Sequence, residues 1–312
     1  MKVGIFEENF SKDLTELLVS KYGAKFFDGN YEEFLFDLDI VFIRLKHYVG
    51  KKILDKAVNL KYICSPTTGW NHIDVEEVKR RKIELISLKG EFDFLNQIRA
   101  TPEHTFGLCL SLLRNYKELF LKNDSKWSVR DNKKGQELYG NKAGIIGYGR
   151  VGKILAGYLT SFGCVTSYYD ILECDNKNNE VQKEISLDLL IEKSNIIFLC
   201  ASYTQDNIEF INSKYIDLLK NKFFINTARG ELVNESYLLE KIRIDWFKGV
   251  AIDVIANESG DNNLEVFLEL SKNKNLIVTP HIAGATHESM SRTDLFILNK
   301  LLLKLEHTEN GQ

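Results

Sequence analysis

Short apolar and β-branched runs alternate with segments of helical periodicity along most of the chain. Before residue 98, patterns typical of strands occur at 2–7, 39–44, 61–66 and 83–87. Helical patterns separate these runs, and Ser11 is placed to cap the first helix. Because strands that alternate with helices indicate parallel βαβ units, residues 1–98 predict a small α/β domain.

A second series of the same kind follows. It opens with TPEHTFGLCLSLLRNYKELF (101–120), which predicts a single helix, and continues through a polar, loop-like segment at 121–141. Strand-like runs then lie at 143–147, 165–170, 195–202, 222–228, 249–254 and 275–281. Residues placed to cap the intervening helices are Ser186, Ser213 and Asn234. The segment 288–306 predicts one amphipathic helix.

The run AGII leads into GYGRVG, and a helical pattern follows. Such a G-x-G-x-x-G could be only a flexible turn between a strand and a helix. However, the next strand ends at Asp170, which lies 18 positions after Gly152, where dinucleotide folds place an acid for the ribose hydroxyls. Gly147 then allows the tight turn, Gly149 the close approach of a pyrophosphate, and Gly152 the packing of the helix. The sequence therefore predicts a dinucleotide site.

Asp170 also indicates which dinucleotide is bound. A carboxylate at this position would repel a 2′-phosphate, and the neighbouring Tyr168, Tyr169 and Ile171 bring no cation. We therefore predict NAD rather than NADP.

Composition and charge narrow the classes of protein to which this chain could belong. The chain is 44% hydrophobic and 27% charged, as in globular proteins, and its net charge of -3 predicts no nucleic-acid or membrane partner. No apolar run approaches the roughly 20 residues of a membrane helix, and no signal peptide is evident. The five cysteines form no CxxC pair, which favours reduced thiols and no metal site. We expect a cytoplasmic protein.

Five motifs occur in a characteristic order: TGWNHID, GYGRVG, NTARG, a DV-x-x-x-E pattern at 253–258, and TPHIAG. In these motifs the chain resembles the D-isomer-specific 2-hydroxyacid dehydrogenases, which include phosphoglycerate, glycerate and D-lactate dehydrogenases. The resemblance covers nearly the whole length. It implies an NAD-dependent enzyme that interconverts a small D-2-hydroxy acid and its 2-keto acid by hydride transfer.

The resemblance implies a catalytic set of Arg229, Glu258 and His281. His281 would transfer the hydroxyl proton, Glu258 would orient its imidazole and favour the protonated form, and Arg229 would bind the substrate carboxylate and polarise its carbonyl. Taken singly, each could be an ordinary surface or loop residue. All three follow predicted strands of one parallel sheet, so we expect them at one edge.

Further contacts are implied in the same way. Cofactor contacts beyond the glycines and Asp170 fall on Arg150, Val151, Thr227, Ala228, Asp253, Ala283 and Gly284. Substrate contacts beyond Arg229 and His281 fall on Arg44, Thr67, Thr68 and Gly69. Two of these have an alternative interpretation, since Asp253 could merely cap a loop and Arg44 could be a plain surface cation.

The resemblance also implies the architecture. A Rossmann NAD-binding domain at 99–284 is expected to be inserted into a smaller flavodoxin-like α/β substrate domain at 1–98 plus 285–312. The two crossings between the domains would form a hinge that closes on substrate. Family members dimerise through the region of helix 101–120, so we predict a homodimer.

Departures from the family pattern leave the substrate open. Cys200 and Ser202 replace a common His and Pro, and no proline follows Glu258. Arg44, Lys46 and His47 could accommodate a phosphate, so both phosphoglycerate-like and glycerate- or lactate-like acids are considered. A second class of function also stays open. The related C-terminal-binding-protein corepressors sense the dinucleotide while binding other proteins, so this chain could be a dinucleotide-sensing protein-binding module with little turnover.

Overall fold

The computed structural model describes residues 1–122, 134–174 and 180–310, with side chains to residue 307. Most of the predicted loop at 121–141 therefore lies outside the described residues. The chain divides into two compact units. Unit 1 comprises Met1–Ile98 and Ala285–Gln312, and unit 2 comprises Arg99–Gly284.

Unit 1 contains a parallel sheet covered by helices. Its strands are β1 (Val3–Ile5), β2 (Lys25–Phe26), β3 (Ile40–Phe42), β4 (Tyr62–Ser65) and β5 (Glu84–Ser87). Its helices are α1 (Lys12–Tyr22), α2 (Tyr31–Leu35), α3 (Lys51–Leu54), α4 (Val75–Arg80), α5 (Phe92–Leu95) and the terminal α13 (His287–Asn310). The strand order β2-β1-β3-β4-β5 is the flavodoxin-like order, and every pairing is parallel.

Alternation along the strands of unit 1 produces two apolar layers. Ile5 and Phe42 face one layer, in which Ile297 and Leu301 of α13 are also buried, whereas Val41 and Ile63 face the other. The terminal helix thus completes the core of unit 1, although in the sequence all of unit 2 lies between this helix and residues 1–98.

Unit 2 contains the second parallel sheet. Its strands are β6 (Lys142–Ile146), β7 (Val165–Tyr169), β8 (Gln182–Lys183), β9 (Ile196–Leu199), β10 (Phe223–Asn226), β11 (Gly249–Ile252) and β12 (Leu276–Val278). Its helices are α6 (Ala100–Leu113), α7 (Tyr116–Lys122), α8 (Arg150–Ser161), α9 (Leu187–Lys193), α10 (Ser213–Leu218), α11 (Glu235–Arg243) and α12 (Leu264–Ser271). Short 3-10 turns lie at Gln205–Asn207 and Gly230–Leu232.

The order β12-β11-β10-β9-β6-β7-β8 is the doubly wound Rossmann order with an added strand. The chain reverses direction across the sheet between β6 and β9, so a crevice opens there at the carboxyl ends of the strands. The predicted fold class is therefore confirmed. The loops that leave these carboxyl ends carry the predicted cofactor and catalytic residues.

Three local predictions were wrong. The helix expected at 101–120 is interrupted, because Asn115 takes the left-handed conformation between α6 and α7. Helix α10 is capped by Asn212, whose side chain accepts from the Lys214 N–H, and not by Ser213. The edge strands β2 and β8 were missed, since each has two exposed residues and no apolar pattern.

Candidate active site

The glycine loop between β6 and α8 forms a cradle of bare backbone. Gly147 has φ +92°, and a Cβ there would lie 2.5 Å from the backbone of Ala201. A Cβ on Gly152 would lie 2.3 Å from the Gly147 carbonyl oxygen, so the helix packs directly onto the turn. A Cβ on Gly149, in contrast, would meet no atom within 4 Å. Close contacts thus exclude a side chain at Gly147 and Gly152, whereas Gly149 borders open space.

The start of α8 is suited to an anion. Gly149 is the N-cap of this twelve-residue helix and offers no side chain to its first N–H groups, and the space where its own side chain would lie is open. Arg150 and Val151 form the first turn. Arg99 lies close enough to Arg150 for its charge to add to the effect of burial, and both lower the pKa of the Arg150 guanidinium. Two cationic side chains therefore lie near this helix end.

Asp170, directly after β7, contacts the glycine loop. Its Oδ2 accepts from the Tyr148 N–H at 2.7 Å, and its Oδ1 accepts from the Leu172 N–H at 2.9 Å. The Tyr148 ring stacks on Tyr168 with 3.7 Å between centroids, which fixes the loop against β7. A carboxylate has further lone pairs for hydroxyl donors. Open space, helix N–H groups and this acid together fit NAD.

The His281–Glu258 pair is the central feature of the site. The Nδ1 of His281 lies 2.7 Å from Oε2 of Glu258, so the carboxylate fixes the orientation of the ring and leaves Nε2 available. Glu258 comes from the loop after β11 and His281 from the loop after β12, which pair in the sheet. The imidazole is 24% exposed, which leaves it accessible to a ligand.

Arg229 lies in the loop after β10. Its Nη1 donates to the carbonyl of Ala228 at 2.6 Å, and burial lowers the pKa of the guanidinium while the charge of Glu258 acts in the opposite direction. The three predicted catalytic residues therefore follow the neighbouring strands β10, β11 and β12, as expected from the sequence.

Asp253 organises the loop that carries His281. Its side chain is fully buried, and its carboxylate accepts from the Thr279 hydroxyl at 2.6 Å and from the N–H groups of Ile282 and Ala283 at 2.9 Å each. Its backbone carbonyl also accepts from the His281 N–H at 2.8 Å. His281 has φ +54°, a conformation that non-glycine residues adopt only when their surroundings impose it. Loop capping is thus an observed role of Asp253.

Helix α6 supports two of these loops. The Nε2 of His104 lies 3.2 Å from the Thr279 hydroxyl, and the Thr105 hydroxyl lies 2.7 Å from that of Thr227. Since Thr279 donates its only proton to Asp253, His104 must donate to Thr279. The sequence did not reveal these contacts, because the partners are separated by more than a hundred residues. Ala228, next to Thr227, donates its N–H to the side chain of Asn226.

In unit 1, the loop after β4 is held by hydroxyl contacts. The Thr67 hydroxyl donates to the Gly69 carbonyl at 3.0 Å and lies 2.9 Å from the Ser65 hydroxyl. Thr68 between them is exposed. Trp70 donates its indole N–H to Ser87 on β5, which anchors the far end of the loop.

Arg44 is not a plain surface cation. Its guanidinium forms an ion pair with Asp294 of α13, whose carboxylate is fully buried, and lies over the Phe10 ring. Burial raises the pKa of Asp294, and the charge of Arg44 opposes this effect. The backbone N–H of Arg44 donates to the buried Glu7. Arg44 thus ties the end of β3 to the terminal helix.

Cys200 lies beside the glycine loop, where the family commonly has a histidine. Burial raises the pKa of its thiol to about 12, so the group stays protonated and cannot act as a nucleophile at neutral pH. The five cysteines are all free.

Comparison with known proteins places this site in a class. The D-isomer specific 2-hydroxyacid dehydrogenase NAD-binding domain matches residues 106–283. A glyoxylate reductase of Thermofilum pendens is 32% identical over 266 residues, which cover 82% of this chain and 75% of that protein. A glyoxylate reductase of Thermococcus litoralis is 29% identical over 263 residues, 81% of this chain and 76% of its own length.

A solved structure has the same fold. The D-lactate dehydrogenase of Aquifex aeolicus, complexed with NAD and lactic acid, superposes with a TM-score of 0.84 at 23% identity, covering 98% of this chain and 96% of that chain. The fold, the glycine loop and the matched domain define an NAD-dependent oxidoreductase. The chain belongs to the D-isomer specific 2-hydroxyacid dehydrogenase family and has 2-hydroxyacid dehydrogenase activity with NAD as its cofactor. Among its described helices, none has the length and apolar character needed to cross a membrane.

Proposed function

We propose that this chain reduces small, unphosphorylated 2-oxo acids to D-2-hydroxy acids with NADH, and catalyses the reverse oxidation with NAD. The observation that carries the proposal is the 2.7 Å contact between His281 and Glu258, at the same sheet edge as the glycine loop. Because the relatives described above are named glyoxylate reductase, glyoxylate is the first acid to test.

The proposed chemistry assigns one task to each residue. When bound, NADH supplies a hydride for C2 of the oxo acid. His281, protonated and oriented by Glu258, donates a proton to the carbonyl oxygen, and in the oxidation it accepts the proton of the hydroxyl. Arg229 holds the substrate carboxylate through its planar fork and stabilises the charge that develops on the oxygen.

The geometry of the cradle supports a set of proposed cofactor contacts. The first turn of α8, with Arg150 and Val151, would hold the pyrophosphate above Gly149, and Asp170 would accept from the adenosine ribose. Thr227, Ala228, Ala283 and Gly284 lie on the loops after β10 and β12 and are proposed backbone contacts for the nicotinamide half. Asp253, whose carboxylate is fully buried, would act on the nicotinamide half through the Ile282 and Ala283 backbone that it holds.

The charges of unit 1 favour an unphosphorylated acid. Arg44 is paired with Asp294, and the carboxylate of Glu7 is buried beside it. Burial lowers the pKa of the His47 imidazole and so disfavours its charged form, and Lys46 is the exposed cation of the three. A phosphate dianion would thus gain little here. We propose that a small carboxylate binds instead to the backbone of Thr67, Thr68 and Gly69.

Two observations support a homodimer. Tyr116 and Phe120 of α7 stack with 5.5 Å between centroids, and Phe120 and Leu121 are 75% and 72% exposed. Apolar side chains this exposed are typical of an interaction surface. Light scattering at micromolar concentration should therefore give twice the chain mass of 35.9 kDa, and a monomeric mass would refute the dimer.

The test of the activity is NADH oxidation with a panel of 2-oxo acids, including glyoxylate, pyruvate, hydroxypyruvate and phosphohydroxypyruvate. We expect the highest kcat/KM for an unphosphorylated acid, and a loss of about 10²–10⁴-fold in kcat for His281→Ala while NADH binding persists. His287→Ala removes an exposed histidine of the same stretch and serves as the matched control. The proposed mechanism is wrong if His281→Ala keeps near-parent turnover.

A further inference from the structure

Glu258 stands on a loop that has no regular structure of its own. The loop runs between the end of β11 and the start of α12, so no sheet or helix ladder fixes its backbone. The contact of Glu258 with His281 requires the loop to hold its place to within a fraction of an ångström. Contacts from elsewhere in unit 2 must therefore anchor it.

One buried carboxylate accepts hydrogen bonds from both ends of this loop. Glu235, the first residue of α11, is 6% exposed. Its Oε1 accepts from the N–H of Ala256 at 2.7 Å, two residues before Glu258, and its Oε2 accepts from the side-chain amide of Asn263 at 3.0 Å. Burial raises the pKa of this carboxyl, and the two hydrogen bonds oppose the effect. The proposed chemistry does not otherwise use Glu235.

The segment before α11 touches the same point of the loop. A Cβ on Gly230 would lie 2.0 Å from the backbone N of Ala256 and from the carbonyl carbon of Ile255. The turn that follows Arg229 therefore lies directly against the start of the loop. Arg229 and Glu235 lie at the two ends of one short segment, and the loop of Glu258 is docked on that segment.

Inside the loop, the side chain of Asn262 contacts three backbone carbonyls. Its side-chain amide lies 3.2 Å from the carbonyl of Asn257, 3.3 Å from that of Glu258 and 3.0 Å from that of Gly260. Asn257 itself is in the left-handed conformation. The loop is thus closed on itself by Asn262 and tied to unit 2 by Glu235.

We infer that Glu235 is a positioning residue: it holds Glu258 against His281 and thereby sets the pH range over which His281 can donate a proton. This inference rests on the proposed function. The charged groups that act on Glu235 are Glu231 and Glu209, and Arg229 acts on Glu258. None of these charges changes when Glu235 is replaced.

The test compares Glu235→Ala, Glu235→Gln and Glu258→Gln in pH–rate profiles of glyoxylate reduction. Glu235→Ala should lower kcat/KM by about 10- to 100-fold, as expected for a misplaced catalytic pair. It should also move the fall in activity to lower pH, in the same direction as Glu258→Gln. Glu235→Gln should largely retain parent behaviour, since its amide oxygen still accepts from Ala256 and the Asn263 amide can turn over.

Two controls separate positioning from a general loss of structure. Glu240→Ala removes an exposed carboxylate of the same helix and should leave the profile unchanged. In the Glu258→Gln background, Glu235→Ala should shift the profile no further, because its effect passes through Glu258. NADH binding should persist in every variant.

Independent, additive shifts in the double variant would overturn the inference, as would a Glu235→Ala profile identical to the parent's while Glu258→Gln still shifts. In both cases the proposed function survives, since that proposal depends on His281→Ala. If Glu235→Ala does not fold, Glu235→Gln combined with Asn263→Ala removes one anchor only, and the same direction of shift is expected.

Discussion

The replacement Asp253→Asn tests how far the His281 loop depends on one buried carboxylate. The carboxylate accepts from Thr279, Ile282 and Ala283, and its side chain is fully buried. An asparagine can keep its oxygen towards Thr279 and Ile282, but its NH₂ group then faces the N–H of Ala283. The variant therefore places two donors against each other in a buried position.

The expected cost follows from these contacts. An unsatisfied buried N–H costs about 1–3 kcal/mol, and exchanging a charged acceptor for a neutral one costs about 1 kcal/mol in each remaining bond. A total of about 3–5 kcal/mol is a large part of the roughly 5–15 kcal/mol by which a domain is stable. At roughly 2–4 °C per kcal/mol, the transition of unit 2 should fall by at least about 6 °C. A loop shift of 1 Å at His281 would cost about 10²-fold in kcat.

The effect on stability should depend on pH in a defined direction. The Nε2 of His104 also lies 3.4 Å from Oδ1 of Asp253. Burial alone would raise the pKa of Asp253, but the contacts with His104, Thr279, Ala283 and Ile282 outweigh it, and the net pKa is lowered. A carboxyl with a lowered folded-state pKa stabilises the protein above its unfolded pKa of about 3.9, and this contribution disappears as the pH falls through the folded value. The difference in Tm between parent and variant should therefore stay constant from pH 7 to about pH 4 and shrink below it.

Calorimetry of both proteins, with glyoxylate kinetics at pH 7, gives the measurement. Asp261→Asn makes the same chemical change at an exposed position of a neighbouring loop and should leave Tm and kcat unaltered. An Asp253→Asn protein with parent Tm and parent kcat would refute the role of the carboxylate. A constant Tm difference across the pH range would refute the lowered pKa.

Three further predictions concern the other site residues. Arg229→Ala should raise the apparent KM for glyoxylate and lower kcat while leaving the Kd of NADH unchanged in a fluorescence titration; a weaker NADH complex alone would contradict its substrate role. Glu258→Gln should shift the fall of reductive activity to lower pH, since the imidazolium loses its anionic partner; an unshifted profile would count against the pair. Asp170→Ser should raise the NADPH-to-NADH ratio of kcat/KM by at least about 10-fold, and an unchanged ratio would show that other groups exclude the 2′-phosphate.

The sequence predicted the sheets well because their strands are buried on both faces. Such strands appear as continuous apolar runs, and the runs at β3, β9 and β10 were found within a few residues of their true bounds. The placement of Arg229, Glu258 and His281 at one sheet edge was also predictable, since motifs that follow parallel strands must meet at one edge. Strands β2 and β8 were not predictable, because two exposed residues carry no pattern.

Contacts between residues that are far apart in the sequence could not be predicted from it. The partner of Arg44 is Asp294, 250 positions along the chain, and the anchor of the Glu258 loop is a glutamate at the start of a different helix. Neither contact has a local pattern, because each depends on how folded elements pack. The interruption at Asn115 was also missed, since a single left-handed residue leaves the apolar periodicity on both sides intact.

The strand order of unit 2 separates cofactor choice from proton transfer. Asp170 directly follows β7, whereas the residues proposed for the chemistry follow β10, β11 and β12, with β6 and β9 lying between. With neighbouring strands about 4.8 Å apart, three to five strand spacings place Asp170 about 14–24 Å from these residues. Substitutions at such distances usually combine additively. Substitutions directly after β7 should therefore change the preference for NADPH, and substitutions in the loop after β11 should change the pH dependence of activity. The two properties of this enzyme can then be engineered independently.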